Sequence, residues 1–162
     1  MIEIRPAEQD EFPAIARLAD EIWHEYFPFL LSQAQIDYML QRFLSVSAMQ
    51  EQSKEGYRYF SIFADGALQG FVALCKHGQR MFLSKLYLGA TVRGKGYGTQ
   101  AMQFVTQYAK SQGCTCVYLT CNRHNTPSLE RYYHLGFRKI ASEVTDIGNG
   151  FYMDDDILEL AV

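Results

Sequence analysis

The chain has 162 residues, of which 48% are hydrophobic and 20% charged, and its formal net charge is −3. This composition is typical of one globular domain spanning residues 1–162, and the acidic balance argues against a nucleic-acid-binding protein. No apolar run reaches the about 18 residues that cross a bilayer, and the N-terminus lacks a secretory-signal pattern. We therefore expect a cytoplasmic protein with no membrane partner.

The pattern of cysteines also favours a cytoplasmic protein. Three of the four, Cys114, Cys116 and Cys121, share one apolar run, and Cys75 lies in another. Paired C-x-x-C spacing is absent, so no metal site is expected. Buried thiols in a reducing compartment are the favoured interpretation.

The first half of the chain is predicted to hold a strand, a helical hairpin and a β-hairpin. Residues 2–7 alternate like a strand, and residues 8–27 repeat apolar side chains at helical spacing until Pro28. Ser32 is placed to cap a second helix, which ends the helical hairpin near Gly56. Asp65-Gly66 then predicts a tight turn between two strands.

The second half alternates strands and helices before a last hairpin. A strand at 81–88, a glycine segment, a helix at 97–112 and a buried strand at 114–122 follow one another. Thr126 is placed to cap the next helix, with Pro127 at its first position. This order predicts an α+β domain in which the strands flanking the 97–112 helix are parallel neighbours.

The glycine segment "VRGKGYG" predicts an anion site. Glycines before a helix expose backbone N–H groups at the positive end of the helix dipole, which suits phosphate. The Walker spacing is absent, and Thr99 replaces the third glycine of the dinucleotide pattern. The pattern R-x-x-G-x-G does fit, at Arg93, Gly96 and Gly98. On the glycines alone, a flexible turn remains an alternative.

A second motif, "NTPSLERYYHLGF", places Tyr132 seven residues after Asn125 and four before Gly136-Phe137. Together with the glycine segment and the element order, it resembles the GNAT superfamily of N-acetyltransferases over nearly the whole chain. Ser128 departs from the usual alanine, and Ala90 from a frequent proline. The resemblance implies a mostly antiparallel sheet of about seven strands, flanked by four helices, with a splayed parallel pair at the cofactor site.

The resemblance also implies acetyl-coenzyme A as co-substrate. Its pyrophosphate is expected on the backbone of residues 93–99, and its pantetheine arm along "LYL". The implied cofactor-binding residues are Leu86, Tyr87, Leu88, Arg93, Gly94, Lys95, Gly96, Tyr97, Gly98, Thr99, Asn125 and Ser128. Tyr132 matches the family's general acid, which protonates the departing thiolate. Packing in the core for Tyr132, and simple helix capping for Asn125, stay open.

The general base is not identified by the sequence. Some relatives carry glutamate before the glycine loop, where this chain has Ser84 and Lys85, and a protonated lysine is a poor base. His24 and Glu25 are candidates for amine binding or for the base, against a solvated helix end. In the last hairpin, Tyr152 is an acceptor-site candidate. The run Asp154-Asp155-Asp156 is interpreted either as an attractor for a cationic amine or as a solvated strand end.

The resulting hypothesis is acetyl transfer from acetyl-coenzyme A to a primary amine, either a small amine or polyamine or a protein amine. Residues 22–40 and 146–160 resemble bacterial proteins near the spermidine/spermine acetyltransferases. The alternative is a sensor or interaction module that binds acetyl-coenzyme A without turnover. A homodimeric state is left open.

Overall fold

A computed structural model describes residues 2–162, which form a mixed seven-stranded sheet and five helices. The strands are β1 Ile2–Pro6, β2 Tyr57–Ala64, β3 Ala67–His77, β4 Arg80–Leu88, β5 Cys116–Asn122, β6 Arg138–Gly148 and β7 Phe151–Ala161. The helices are α1 Phe12–Tyr26, α2 Gln33–Phe43, α3 Val46–Lys54, α4 Tyr97–Ser111 and α5 Thr126–His134. The strand order in the sheet is β1-β2-β3-β4-β5-β7-β6. Among these helices of residues 2–162, none has the length and apolarity of a membrane span.

The strand pairing confirms the predicted topology. β2 and β3 form an antiparallel hairpin whose turn residues, Asp65 and Gly66, have φ of 52° and 81°. β4 and β5 are parallel, with Arg80–Phe82 in register with Cys116–Tyr118. β5 and β6 both pair antiparallel with β7, so β7 is an internal strand. The glycine segment therefore joins a parallel pair through α4, as expected.

The helices differ from the prediction in number and in one cap. The predicted second helix is two helices, because Ser45 adopts an extended conformation and its Oγ accepts the Ala48 N–H at 3.2 Å, starting α3. Residues 2–162 thus contain five α-helices, where four helices were predicted. The cap of α5 is Asn125 rather than Thr126, because Asn125 is non-helical while its carbonyl accepts the Leu129 N–H at 3.0 Å.

The chain divides into two compact units, of which the first comprises residues up to Cys75 together with Ser84–Phe104. Its core contains the apolar face of α1, where Phe12 packs on Tyr59 at 5.4 Å between ring centroids and Trp23 packs on Tyr87 at 5.9 Å. Apolar residues three and four positions apart on α1 are buried, which explains why this segment is helical.

The second unit comprises Lys76–Leu83 and Val105–Val162. Its core is built by the apolar residues of α4 and the buried strands, including Val105, Val117 and Leu158. The four cysteines of the chain are buried free thiols, which confirms the packing role expected for them.

Candidate coenzyme and catalytic site

The glycine loop lies in the first unit, between the end of β4 and the start of α4. Gly94 and Gly96 have φ of +77° and +80°, a region that side chains with a β-carbon rarely occupy. A Cβ added at either position would meet nothing within 4 Å. Glycine is therefore required by the backbone conformation, and the space beside the loop is open.

This open loop fits a diphosphate. The first N–H groups of a helix have no intrahelical acceptor, and the helix dipole places partial positive charge there. The first backbone hydrogen bond of α4 runs from Gln100 N to Gly96 O, so the loop feeds directly into the helix start. Lys95 is exposed between the two positive-φ glycines and adds a full charge.

Arg93, expected to add charge for the polyanion, lies in an ion pair. Its Nη1 is 2.7 Å from Glu25 Oε1, its Nε donates to Leu88 O at 3.0 Å, and its guanidinium lies 5.6 Å from the Tyr26 ring centroid. These contacts join the C-terminal end of α1 to the start of the glycine loop. Glu25 is thereby brought to the predicted coenzyme loop.

The "LYL" segment of β4 is anchored on one side by aromatic rings. Tyr87 packs against Phe71 at 5.5 Å and Phe27 at 6.4 Å, measured between centroids. Leu86 and Leu88 are half-buried. Gly98, at the start of α4, faces the Leu88 side chain, which lies 3.9 Å from a Cβ built on that glycine. The strand expected to hold the pantetheine arm is thus rigidly supported.

Lys85 is buried, with 8% of its surface exposed. Its Nζ donates to Gln52 Oε1 at 3.0 Å, and the same oxygen accepts the Tyr59 hydroxyl at 2.6 Å. Burial lowers the pKa of Lys85 to about 7, and burial likewise raises the pKa of Tyr59. Lys85 is therefore partly neutral at neutral pH, which corrects the sequence-based expectation of a protonated lysine.

Replacing Lys85 by methionine is expected to stabilise the protein, most strongly at or below pH 7. There the folded protein keeps a buried ammonium, whereas above pH 7 the folded side chain is neutral and the unfolded one stays protonated up to about pH 10.5. The gain should be about 1–4 kcal/mol at pH 6 and should shrink toward pH 10. Urea denaturation at both pH values measures it.

The matched control is Lys54→Met. Lys54 is an exposed lysine of α3 in a surface ion pair with Glu51, so its replacement should change stability little at either pH. If Lys85→Met gives the same change at pH 6 and pH 10, the buried-ammonium interpretation is wrong.

The second unit holds Asn125, Ser128 and Tyr132. Asn125 is buried at the N-terminus of α5, and Ser128 and Tyr132 are half-buried on that helix. The Tyr132 ring packs edge-on against Phe137, with 5.6 Å between centroids, whereas Tyr133 is 42% exposed. The two tyrosines therefore have different surroundings, as their offset on the helix predicts.

His24 lies between two carboxylates. Its Nε2 is 2.9 Å from Asp37 Oδ1, and its Nδ1 is 3.1 Å from Asp20 Oδ1 and 2.9 Å from Asp20 O. The hydrogen bond with Asp37, followed by that with Asp20, raises the pKa of His24. This imidazole links α1 to α2 and is flanked by negative charge. Tyr152, the other acceptor candidate, lies on β7 and is 56% exposed.

The three aspartates of β7 are not a uniformly solvated strand end. Asp155 and Asp156 are buried, with 7% and 6% exposed surface. Asp156 Oδ1 accepts from Ser142 Oγ at 3.0 Å and lies 3.3 Å from Lys139 Nζ. The sequence does not reveal this burial, although three successive carboxylates of one strand cannot all share one face, because side chains alternate.

Comparison with known proteins places the chain among acetyltransferases. A family model described as the acetyltransferase (GNAT) family matches residues 13–137. The spermidine N(1)-acetyltransferase of Thermoplasma acidophilum is 26% identical over 159 residues, which cover 94% of this chain and 96% of that relative.

Solved structures share the fold. The PaiA N-acetyltransferase of Thermoplasma acidophilum, in complex with coenzyme A, has a TM-score of 0.83 at 24% identity, over 100% of this chain and 99% of that chain. The ribosomal-protein-S18-alanine N-acetyltransferase of Escherichia coli has a TM-score of 0.75 at 15% identity, over 100% and 94%. Because the family model matches most of its length, the chain belongs to the acetyltransferase (GNAT) family and is an N-acetyltransferase with acetyl-coenzyme A as co-substrate.

Proposed function

We propose that the chain transfers the acetyl group of acetyl-coenzyme A to a primary amine by direct attack on the thioester. The observation that carries this proposal is the loop in which Gly94 and Gly96 adopt positive φ immediately before α4. An open loop of this kind, beside the exposed Lys95, suits the diphosphate of coenzyme A. One N-acetyltransferase domain spanning residues 1–162 is part of the proposal, supported by the near-complete coverage of the relative.

Two segments of the first unit are proposed to hold the coenzyme. The N–H groups of residues 93–99 would bind the diphosphate, and Leu86–Leu88 would pair with the pantetheine arm. Asn125 and Ser128 are proposed as further contacts. When bound, the coenzyme supplies an activated acetyl thioester, and the N–H near Leu88 is proposed to stabilise the oxyanion that forms on it.

Acetyl transfer requires that a proton leaves the amine and that a proton reaches the thiolate. An alkyl amine has a pKa of about 10.4, so removing its proton at pH 7 costs roughly 4–5 kcal/mol. We propose that Tyr132 donates a proton to the departing thiolate. Its hydroxyl would carry out that step from α5, where the ring is held against Phe137.

The acceptor is proposed to be a cationic amine, with polyamines among the candidates. The similarity to a spermidine N(1)-acetyltransferase supports that class. Negative charge in the first unit supports it too, since Asp20, Glu25 and Asp37 lie on α1 and α2. A protein amine, a homodimeric state and the lack of a nucleic-acid partner stay predictions.

Glu25→Gln is expected to raise KM for the amine several-fold while KM for acetyl-coenzyme A changes little. Removal of one carboxylate weakens attraction to a cation, and the freed Arg93 keeps its bond to Leu88 O. His24→Ala is expected to act in the same direction. Steady-state kinetics with both substrates varied, and a melting curve for each variant, provide the measurement. A change confined to KM for acetyl-coenzyme A would assign Glu25 to the coenzyme loop instead.

An acceptor screen tests the proposed function against the alternative of a non-catalytic acetyl-coenzyme A sensor. Release of free coenzyme A thiol is followed with spermidine, a peptide with a free N-terminus and a lysine peptide. Thiol release that depends on one of these amines supports the enzyme. Tight acetyl-coenzyme A binding without amine-dependent release would support the sensor.

A further inference from the structure

β6 is an edge strand whose side chains are exposed on both faces. It lies at one end of the strand order and pairs with β7 alone among the strands of residues 2–162. All nine residues from Arg138 to Asp146 are exposed. Because side chains alternate between the two faces of a strand, neither face of this stretch is covered by a helix. β6 therefore offers a free edge and two free faces.

The edge carries little protection against pairing. The unpaired N–H and C=O groups of an edge strand can bond another chain, so edge strands are commonly short, interrupted by proline or bulged. The other edge strand, β1, has five residues and ends at Pro6. β6 has eleven residues and no proline, and its register with β7 shifts only between Lys139 and Ala141 and between Asp146 and Gly148. The stretch from Ala141 to Asp146 is thus a regular strand with an unpaired outer side.

Apolar side chains are exposed along this hairpin. Five large apolar residues are exposed within residues 2–162, and three of them belong to β6 and β7: Val144 is 64% exposed, Tyr152 56% and Ile140 44%. Val144 and Tyr152 share one face of the hairpin, because Tyr152 lies opposite Asp146, two residues beyond Val144. Their grouping favours association, since removing apolar surface from water is favourable.

The order of charges makes β6 complementary to itself. Arg138 and Lys139 lie at its start, and Glu143 and Asp146 lie in its second half. Antiparallel pairing with a second copy brings the basic start of each strand to the acidic half of the other, whereas parallel pairing brings like charges together. Arg138 has no ion pair or hydrogen bond within residues 2–162, so its charge is available for such a contact.

The charges also indicate where a two-fold axis would lie. Such an axis, normal to the sheet, relates each residue to the same residue of the second copy, so the two strands pair about one residue. An axis at Glu143 would set two carboxylates directly opposite each other, which is destabilising. An axis at Ser142 instead places Ala141 opposite Glu143. It also brings Val144 of one copy near Ile140 of the other, and the basic start of the strand near its acidic half.

We propose that β6 pairs antiparallel with β6 of a second copy of this chain, about a two-fold axis at Ser142. Two seven-stranded sheets are then joined edge to edge. Backbone hydrogen bonds between the outer sides of the two strands hold the dimer, and apolar and charged side chains set its register. The interface lies within the second unit and does not depend on the proposed acetyl transfer.

Disulfide trapping tests the position of the axis. The four native cysteines are buried, so a thiol introduced on β6 is the one available for crosslinking. Under mild oxidation Ser142→Cys is expected to form a covalent dimer, because its two copies would lie about 4.5–5.5 Å apart between Cα atoms, within reach of a disulfide. Thr145→Cys is the matched control on the same strand. In this register its two copies lie about 20 Å apart, so Ser142→Cys should crosslink at least about 10-fold faster.

Sedimentation equilibrium tests the interface without a crosslink. The wild-type mass is expected to rise with concentration toward twice the 18.6 kDa of one chain. Val144→Lys should remain a single chain, because it removes an apolar contact and adds a positive charge close to the basic start of the second copy. Phe29→Lys makes the same kind of change at a side chain that is 59% exposed and lies outside the hairpin, so it should still form dimers.

Two results would overturn the proposed interface. One is a disulfide that forms no faster in Ser142→Cys than in Thr145→Cys. The other is the same mass for the wild type and Val144→Lys, whether that mass is one chain or two. Melting curves verify that each variant is folded, as the exposure of Ser142, Val144 and Thr145 leads us to expect. Neither measurement uses activity, so a failed interface leaves the proposed amine acetylation standing, and a failed acceptor screen leaves the interface standing.

Discussion

Tyr132→Phe is expected to lower kcat about 10- to 1000-fold while acetyl-coenzyme A still binds. The substitution removes only the hydroxyl, so the ring keeps its edge-on packing against Phe137. Without that hydroxyl the thiolate must leave unprotonated or take a proton from water. The effect should appear in kcat rather than in KM for acetyl-coenzyme A, because the proton is needed only as the C–S bond breaks. Steady-state kinetics at saturating coenzyme measure it.

Tyr133→Phe is the matched control on the next residue of α5. Tyr133 is exposed and points about 100° away around the helix, so loss of its hydroxyl should change kcat less than about 3-fold. If both variants change kcat by the same small factor, Tyr132 has only a packing role. A loss of melting temperature confined to Tyr132→Phe, without a kinetic effect, would lead to the same conclusion.

Gly96→Val is expected to abolish the rise in melting temperature that acetyl-coenzyme A produces in the wild type. A ligand that binds only the folded protein stabilises it by mass action, by about 2.7 kcal/mol at a hundred times Kd. Valine disfavours the φ of +80° at this position, so the loop must change its conformation and redirect its N–H groups. The free protein should remain folded, because a Cβ there meets no neighbouring atom.

Gly66→Val is the control for the loss of stability caused by backbone strain alone. Gly66 has φ of +81° and equally open surroundings, but it lies in the β2–β3 turn, away from the glycine loop in sequence. Both variants should lose about 1–3 kcal/mol of stability. Only Gly96→Val should lose the response to acetyl-coenzyme A in thermal denaturation. If acetyl-coenzyme A raises the melting temperature of Gly96→Val as much as that of the wild type, the coenzyme does not bind at this loop.

Much of the fold could be predicted because local signals agreed with the final packing. The Asp65-Gly66 turn, the Ser32 cap and the helix after the glycine loop all depend on residues close together in the chain. The parallel pair followed from the topology of a strand, a helix and a strand. The break at Ser45 was missed because apolar spacing continues across it, and only the cap geometry separates α2 from α3.

The site was less predictable because its electrostatics depend on contacts between distant residues. Arg93 and Glu25 are 68 positions apart, and Lys85 reaches Gln52 across 33 positions. The sequence shows the sign of each charged side chain, but it does not show which charges form pairs or which side chains are buried. Asp155 illustrates this: its neighbours in sequence suggest a solvated acidic run, while its place in an internal strand buries it without a counter-ion.

The amine acceptor is hard to predict from the sequence for the same reason. Motifs in the glycine loop and α5 concern the coenzyme, which is shared across the family. The residues proposed for acceptor recognition, Glu25, His24 and Tyr152, belong to no shared motif. The acceptor therefore stays a proposal, and kinetics with individual amines must identify it.

The mass of the acetylated product tests acetyl transfer to an amine most directly. The wild-type protein is incubated with spermidine and acetyl-coenzyme A carrying a heavy-isotope acetyl group, and the amine is analysed by mass spectrometry. We expect one labelled acetyl group on the amine. The amount of labelled amine should equal the amount of free coenzyme A, and both should be strongly reduced in Tyr132→Phe. Coenzyme A release without label on spermidine, or on the peptide amines of the screen, would contradict it.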